Sequence, residues 1–244
     1  MKPSQPTLRT QLWKLACVIA LSQATAAKSV EIDEFPLPPK LHELPPEAQE
    51  KVREALEKLR RDGQEHVEKF RRENLKMMLG NVPVYRVPEG AIRTARSYTA
   101  SDEPQSECAT HSFESVPLSA LGLAGAKVMR TDWDSPMGCQ DRLGTRVRRI
   151  IVDPSDRLVS LTEWDFVTEG GAVGQSSTAI NGSLDGIPSV LAGLSDDTGA
   201  SCWKMTWHSS KIDYELTMCE PSLRPDAPKA MLDMASGVVA AVPR

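Results

Sequence analysis

Four cysteines, Cys108, Cys139, Cys202 and Cys219, are the residues of this chain whose type and spacing point most directly to covalent chemistry. An even set of thiols in an exported chain reads as paired disulfides, with three connectivities open on the count alone. The stretch from Cys202 to Cys219 (CWKMTWHSSKIDYELTMC) selects among them. Folded about Ser210–Lys211, it sets Cys202 opposite Cys219 and leaves Cys108 for Cys139. Loop-entropy arithmetic gives each bridge about 3 kcal/mol. The competing chemistry is metal binding at Cys108-Ala-Thr-His111. Structural zinc sites use a second closely spaced pair, and none accompanies this one.

The remaining reactive residues are scattered. His42, His66, His111 and His208 have neither triad nor ligand spacing, and Ser176-Ser177 lacks the glycine frame of a nucleophile elbow. Asp132-Trp-Asp134 opens like a calcium loop, but Pro136 and Met137 displace the later ligands. Gly122 to Lys127 is too short for a phosphate loop. No catalytic, cofactor-binding or metal residue is assigned, and no cofactor is expected. His208 opposite Asp213 has acid–base composition, although a polar pair at a hairpin end is the commoner use of such residues. Arg142, Arg146, Arg148 and Arg149 gather positive charge on an acidic chain. They form a candidate patch for an anionic ligand or an acidic partner. The plainer alternative is an exposed strand face with Arg146 opposite Glu163. Asn181-Gly182-Ser183 is a glycosylation sequon, meaningful only where the host glycosylates exported proteins.

The elements that must position these residues begin with the hairpin itself. Its register places Trp203, Met205, Trp207, Tyr214, Leu216 and Met218 on one side and polar residues on the other. The turn, Ser-Ser-Lys-Ile, lacks the Asn-Gly of a tight hairpin, so a wider loop is expected. Arg146 to Val152 and Arg157 to Val167 form a second hairpin around Asp153-Pro154-Ser155-Asp156. Lys127 to Trp133, Val173 to Ile180 and Ser189 to Leu194 also read as strands, with a loop over Asn181 to Gly186. Val82 to Val87, carrying Pro83, reads as an edge strand at best. The expected fold is therefore mainly β with an N-terminal helical segment (α+β). Its sheet is a disulfide-braced antiparallel meander, curved or barrel-like.

Lys2, Arg9 and Lys14 precede the apolar run Leu15 to Leu21 and the small-residue site Ala24-Thr25-Ala26. This describes a signal peptide over residues 1–26, cleaved near Ala26/Ala27, which takes Cys17 with it and leaves no transmembrane span. Cleavage lowers the net charge of −4 to about −7, a poor balance for nucleic acid. Residues 27–45 read as a proline-rich linker. Residues 46–80 read as a charged amphipathic helix or helix pair, with Val52, Leu56, Leu59, Gly63, Val67, Phe70 and Met78 along one stripe and Gly80 as its C-cap. The stripe is narrow, as in a two-helix seam. The β domain covers 81–222, and a helical tail that docks or frays covers 223–244.

These features imply a periplasmic or secreted, non-catalytic binding module. Its ligand would be a protein partner, met through the 46–80 helix, or a small apolar or anionic molecule. The alternative is a hydrolase whose residues converge only in three dimensions. A deep pocket with convergent titratable groups would favour the hydrolase.

Overall fold

A computed structural model of the chain describes residues 45–98, 108, 110–135, 143–169, 173 and 179–242. The expected signal peptide, nearly all of the linker, Cys139 and Arg142 lie outside these residues, as does most of the expected strand from Val173 to Ile180.

Strands β10 (Ser201–His208) and β11 (Ile212–Glu220) pair as the sequence predicts, from Cys202 opposite Cys219 to His208 opposite Asp213. The two cysteines are joined in a disulfide. Cys108 is disulfide-bonded as well. The turn is tighter than expected: the Ser209 amide donates to the Ile212 carbonyl at 2.9 Å. The Ser209 hydroxyl accepts from the Lys211 and Ile212 amides, a local substitute for Asn-Gly.

Around this hairpin the sheet extends to nine strands. In addition to β10 and β11 these are β1 (Leu75–Leu79), β2 (Val82–Arg86), β4 (Lys127–Asp134), β6 (Arg146–Val152), β7 (Leu158–Asp165), β8 (Gly182–Leu184) and β9 (Ile187–Ser195). Their order is β1-β2-β9-β10-β11-β7-β6-β4, with β8 on β9. A separate two-residue pair joins β3 (Thr110–His111) to β5 (Leu143–Gly144).

Several sequence expectations are corrected. First, the sheet is mixed and open, not an antiparallel meander or a barrel, because β2 runs parallel to β9 and the two end strands do not meet. Second, the N-terminal helix, α1 (Pro46–Asn74), is a single helix that stops before Met78. Leu75 turns extended, and Gly80 at φ 62° makes the tight β1–β2 turn in place of a helix cap. β2, expected at an edge, lies inside the sheet, and its ladder to β9 starts only after Pro83. Third, Asn181 to Gly186 is no plain loop: Asp185 and Gly186, both at positive φ, close a β8–β9 hairpin. Fourth, the β6–β7 register sets Arg146 opposite Trp164, and Glu163 opposite Val147.

The main core lies on the face shared by Trp203, Met205, Trp207, Tyr214, Leu216 and Met218. It is roofed by the C-terminal helix, α2 (Ala227–Ala241), and a short 3-10 turn (Leu118–Leu121). Ala227, Met231, Met234, Ala235 and Val238 recur at helical spacing and are buried there, so the tail docks. The helix comes so close to the 3-10 turn that a Cβ on Gly237 would collide with the carbonyl oxygen of Ala120. Glycine to alanine ordinarily stabilises a helix interior. Gly237→Ala is expected to do the reverse here, lowering stability by about 1–3 kcal/mol in chemical unfolding. An unchanged midpoint would show that α2 can move away from the turn at no cost.

Candidate functional site

The opposite face of the sheet divides into three parts. At one end Ile92 and Tyr98 cover the disulfide together with Ile150 and Leu158. At a second position Phe70 of α1 rests on Tyr85, with ring centroids 5.8 Å apart, beside Ala192. The rest carries polar rows set by strand alternation. One row runs Asp134, Arg146, Trp164, Asp213, His208, and the next runs Asp132, Arg148, Thr162, Glu215, Thr206. Most of these side chains are half-buried.

The electrostatics of this face are uneven. Lys204 and Glu215 pair at 2.5 Å across β10 and β11. Burial, reinforced by the nearby negative charge of Glu215 and opposed by Lys204, pushes the Asp213 carboxyl up to about 7. Burial also lowers the basicity of His208 opposite it. Asp165, at the same end of the sheet but on its core face, behaves differently. Burial pushes its carboxyl up, but hydrogen bonds from the Thr168 amide (2.9 Å) and hydroxyl (2.7 Å) and the contact with Lys211 (3.1 Å) hold it below the usual range.

The raised Asp213 makes a pH prediction. The folded chain holds that proton more tightly than the unfolded chain, so its contribution to stability is complete below about pH 4 and is lost as pH rises through about 7. Asp213→Asn mimics the protonated form. It is expected to match wild type near pH 4 and to exceed it by about 4 kcal/mol at most at pH 8. Comparing variant with wild type at each pH removes the opposite contribution of His208. A pH-independent difference in urea midpoints would show that Asp213 is solvated.

The arginine patch resolves into separate ion pairs. Arg146 donates to Asp134 from Nε at 2.7 Å, and that contact raises its basicity. Arg148 lies 3.8 Å from Asp132, which also accepts from Arg130 at 2.7 Å. Arg149 points to the other face, into the main core, and meets Glu163 at 2.6 Å. Strand alternation thus divides what the sequence groups together, and each of the three already faces a carboxylate. Arg157 pairs with Asp153 inside its own turn.

Of the other sequence-level candidates, Cys108 has its sulfur in a disulfide, and the His111 ring stacks on Trp133 at 3.8 Å. The Asn181 side chain bonds both the amide and the carbonyl of Leu191 at 2.8 Å, which ties the sequon to the sheet. Two cavities open elsewhere. One of about 460 Å³ lies between the β1–β2 turn and α2, lined by Leu79, Val82, Leu191, Met205 and Leu232 with Lys229 as its ionisable residue. The other, about 370 Å³, is lined by the 3-10 turn, Val128 and Ile151. The titratable cluster of the polar face enters neither. Among the described residues no helix is long and apolar enough to cross a membrane.

The feature the sequence did place, and that the structure leaves most open, is α1. It spans about 44 Å at 1.5 Å per residue. Among its described residues no side chain is buried, and Phe70 provides its anchor on the sheet.

No family model matches the chain, and no curated protein matches it. Among solved structures, the extracellular domain of PknH from Mycobacterium tuberculosis aligns with 50% of this chain and 89% of its own length. The identity is 12% and the TM-score 0.28, below the level that defines a common fold.

Proposed function

We propose that the chain is an exported, non-catalytic interaction module of the cell envelope that engages a protein partner through α1. The observation that carries this reading is the disposition of the helix: 29 residues attached to the sheet at one end, with its described side chains half-buried or exposed. A narrow apolar stripe between charged flanks is what a helix presents to a second helix. Export is supported by the signal-like start of the sequence and by disulfides, which persist in oxidising compartments such as the periplasm or the extracellular space. The hydrolase reading is weaker, because the titratable groups of the polar face lie on an open sheet face and enter neither cavity, and the cavities are lined mostly by apolar residues.

The test is native mass spectrometry of protein recovered unreduced from its own compartment. A retained protein subunit, lost on Leu56→Glu with Val67→Glu while melting is unchanged, is the expected result. Retention of the subunit by that variant would move the interface away from α1. A bare monomer under both conditions would sink the reading.

A further inference from the structure

We propose that Asn181 is a deamidation site guarded by the fold, and that loss of its amide loosens the β1–β2 turn in one direction only. One edge of β9 is shared by two strands. β8 covers it up to Ser189, and β2 takes over only from Gly193. Val190, Leu191 and Ala192 lie between the two ladders. The Asn181 side chain fills that gap: its Nδ2 donates to the Leu191 carbonyl and its Oδ1 accepts from the Leu191 amide, both at 2.8 Å. These are the two bonds that a residue of a neighbouring strand would make. The same Nδ2 donates to the Asn81 carbonyl at 3.3 Å, and the Asn81 side chain donates back to the Asn181 carbonyl. One amide thus splices β8, β9 and the β1–β2 turn.

The next position makes this amide vulnerable. A Cβ on Gly182 would lie 2.8 Å from the Oγ of the fully buried Ser189, so the close approach of β8 to β9 requires glycine there. The fold therefore needs an amide at one position and no side chain at the following one. In an Asn-Gly pair nothing shields the glycine nitrogen, and the backbone is free to bring it onto the side-chain carbonyl carbon. The Gly182 nitrogen bonds to Cγ of Asn181, the Cγ–Nδ2 bond breaks, and Nδ2 leaves as ammonia with the proton given up by the Gly182 amide. Water then opens the cyclic imide at either carbonyl, leaving aspartate or isoaspartate. Water is the only co-reactant, and nothing is oxidised or reduced.

The folded splice and the reaction exclude one another. Closing the imide requires the Asn181 side chain to leave Leu191 and the backbone to bend away from the β8 ladder, which starts at Gly182. β8 is only three residues long and among the described strands pairs with β9 alone, so it opens locally at lower cost than the central strands. Each opening exposes the amide to reaction, and the product cannot restore the splice. A carboxylate has no N–H to give to the Leu191 and Asn81 carbonyls, and it sets a negative charge against both oxygens. Isoaspartate also lengthens the main chain by one carbon and shifts β8 out of register. The β1–β2 turn, which carries α1 through β1, then loses the Asn181 half of its tie to β8, while the β2–β9 ladder remains.

The test follows deamidation at Asn181 by peptide mapping of the unreduced full chain, incubated folded and in urea at the same pH and temperature. The unfolded chain is expected to react as a free Asn-Gly peptide does, and the folded chain at least roughly tenfold more slowly. Equal rates overturn the proposal, because the fold would then not hold the amide. Asn181→Asp reproduces one product directly. Its hydrogen exchange is expected to rise roughly tenfold at the amides of β8 and of the β1–β2 turn, and to stay at the wild-type rate in the β6–β7 and β10–β11 hairpins. Exchange unchanged throughout, or raised throughout because the variant unfolds as a whole, would show that the amide is not a local splice. Either result overturns the proposal.

Discussion

Glu163→Ala is expected to lower stability by about 3–5 kcal/mol, among the largest effects of any substitution in the chain. Glu163 lies inside the main core at 1% exposure. One carboxylate oxygen accepts from Arg149 at 2.6 Å and from the Ser115 hydroxyl at 2.5 Å, and the other accepts from the Val116 amide at 3.0 Å. Arg149 in turn donates to the Val116 carbonyl. The pair therefore fastens the segment leading into the 3-10 turn to strands β6 and β7. Truncating the carboxylate strands a guanidinium that is itself buried, together with an amide and a hydroxyl that lose their acceptor. The cost comes from the orphaned charge more than from the lost attraction. Arg149→Met with Glu163→Leu should therefore recover most of the loss, since apolar replacement of a buried pair is often neutral. A urea-unfolding double-mutant cycle measures both. If Glu163→Ala costs under about 1 kcal/mol, water reaches the pair and the core is looser than described.

Trp207→Ala is the second large effect, about 3–5 kcal/mol, enough to leave a marginally stable domain mostly unfolded at growth temperature. The indole is 1% exposed and lies flat on Tyr214, with centroids 5.2 Å apart and planes inclined by 6°. Burial and the nearby Glu163 push the Tyr214 phenol up to about 12, in keeping with a ring held away from water. Removing the indole therefore opens a cavity and uncovers Tyr214. The near-ultraviolet signal of the stacked pair should vanish along with stability. A variant melting within a few degrees of wild type would mean that the neighbouring side chains can close over the gap.

The parts of the fold legible in the sequence are those in which one local pattern determines the answer. In the Cys202–Cys219 hairpin, a single register sorts apolar from polar residues and also aligns two thiols, so the pairing follows from alternation alone. The 227–241 helix follows similarly from spacing. The parallel union of β2 with β9 depends on residues far apart in sequence, and no local pattern encodes it. Pro83 argued for an edge because it lacks a donor, but β2 meets β9 only from Val84 onward, so the missing donor falls outside that ladder. β1 is hidden in the helical pattern because Met78 continues the helical stripe. Asp185-Gly186, a strong hairpin signal, sits in a stretch that reads as a loop because the strand it closes is only three residues long. In the candidate site, the arginine cluster was visible as composition, but its division between two faces required the strand register. The environment of Asp213 depends on β7 as well as on its own hairpin and could not be read from either alone.

The pairing of β2 with β9 also determines the order in which the molecule can assemble. The β10–β11 and β6–β7 hairpins close over short turns and can nucleate early, whereas Val84 must find Gly193 across a span of about 110 residues. The N-terminal unit of α1, β1 and β2 is thus the last to be fixed, and it joins the rest through the β2–β9 ladder, Val82 and Val84 in the main core, and Lys76 on Ser195 and Asp196. Its long separation in sequence from the hairpins makes it the unit expected to leave first when the protein is warmed or pulled. Opening there would expose the edge of β9 while the hairpins stay shut. The segment proposed to engage a partner is therefore also the one expected to come away without the rest unfolding.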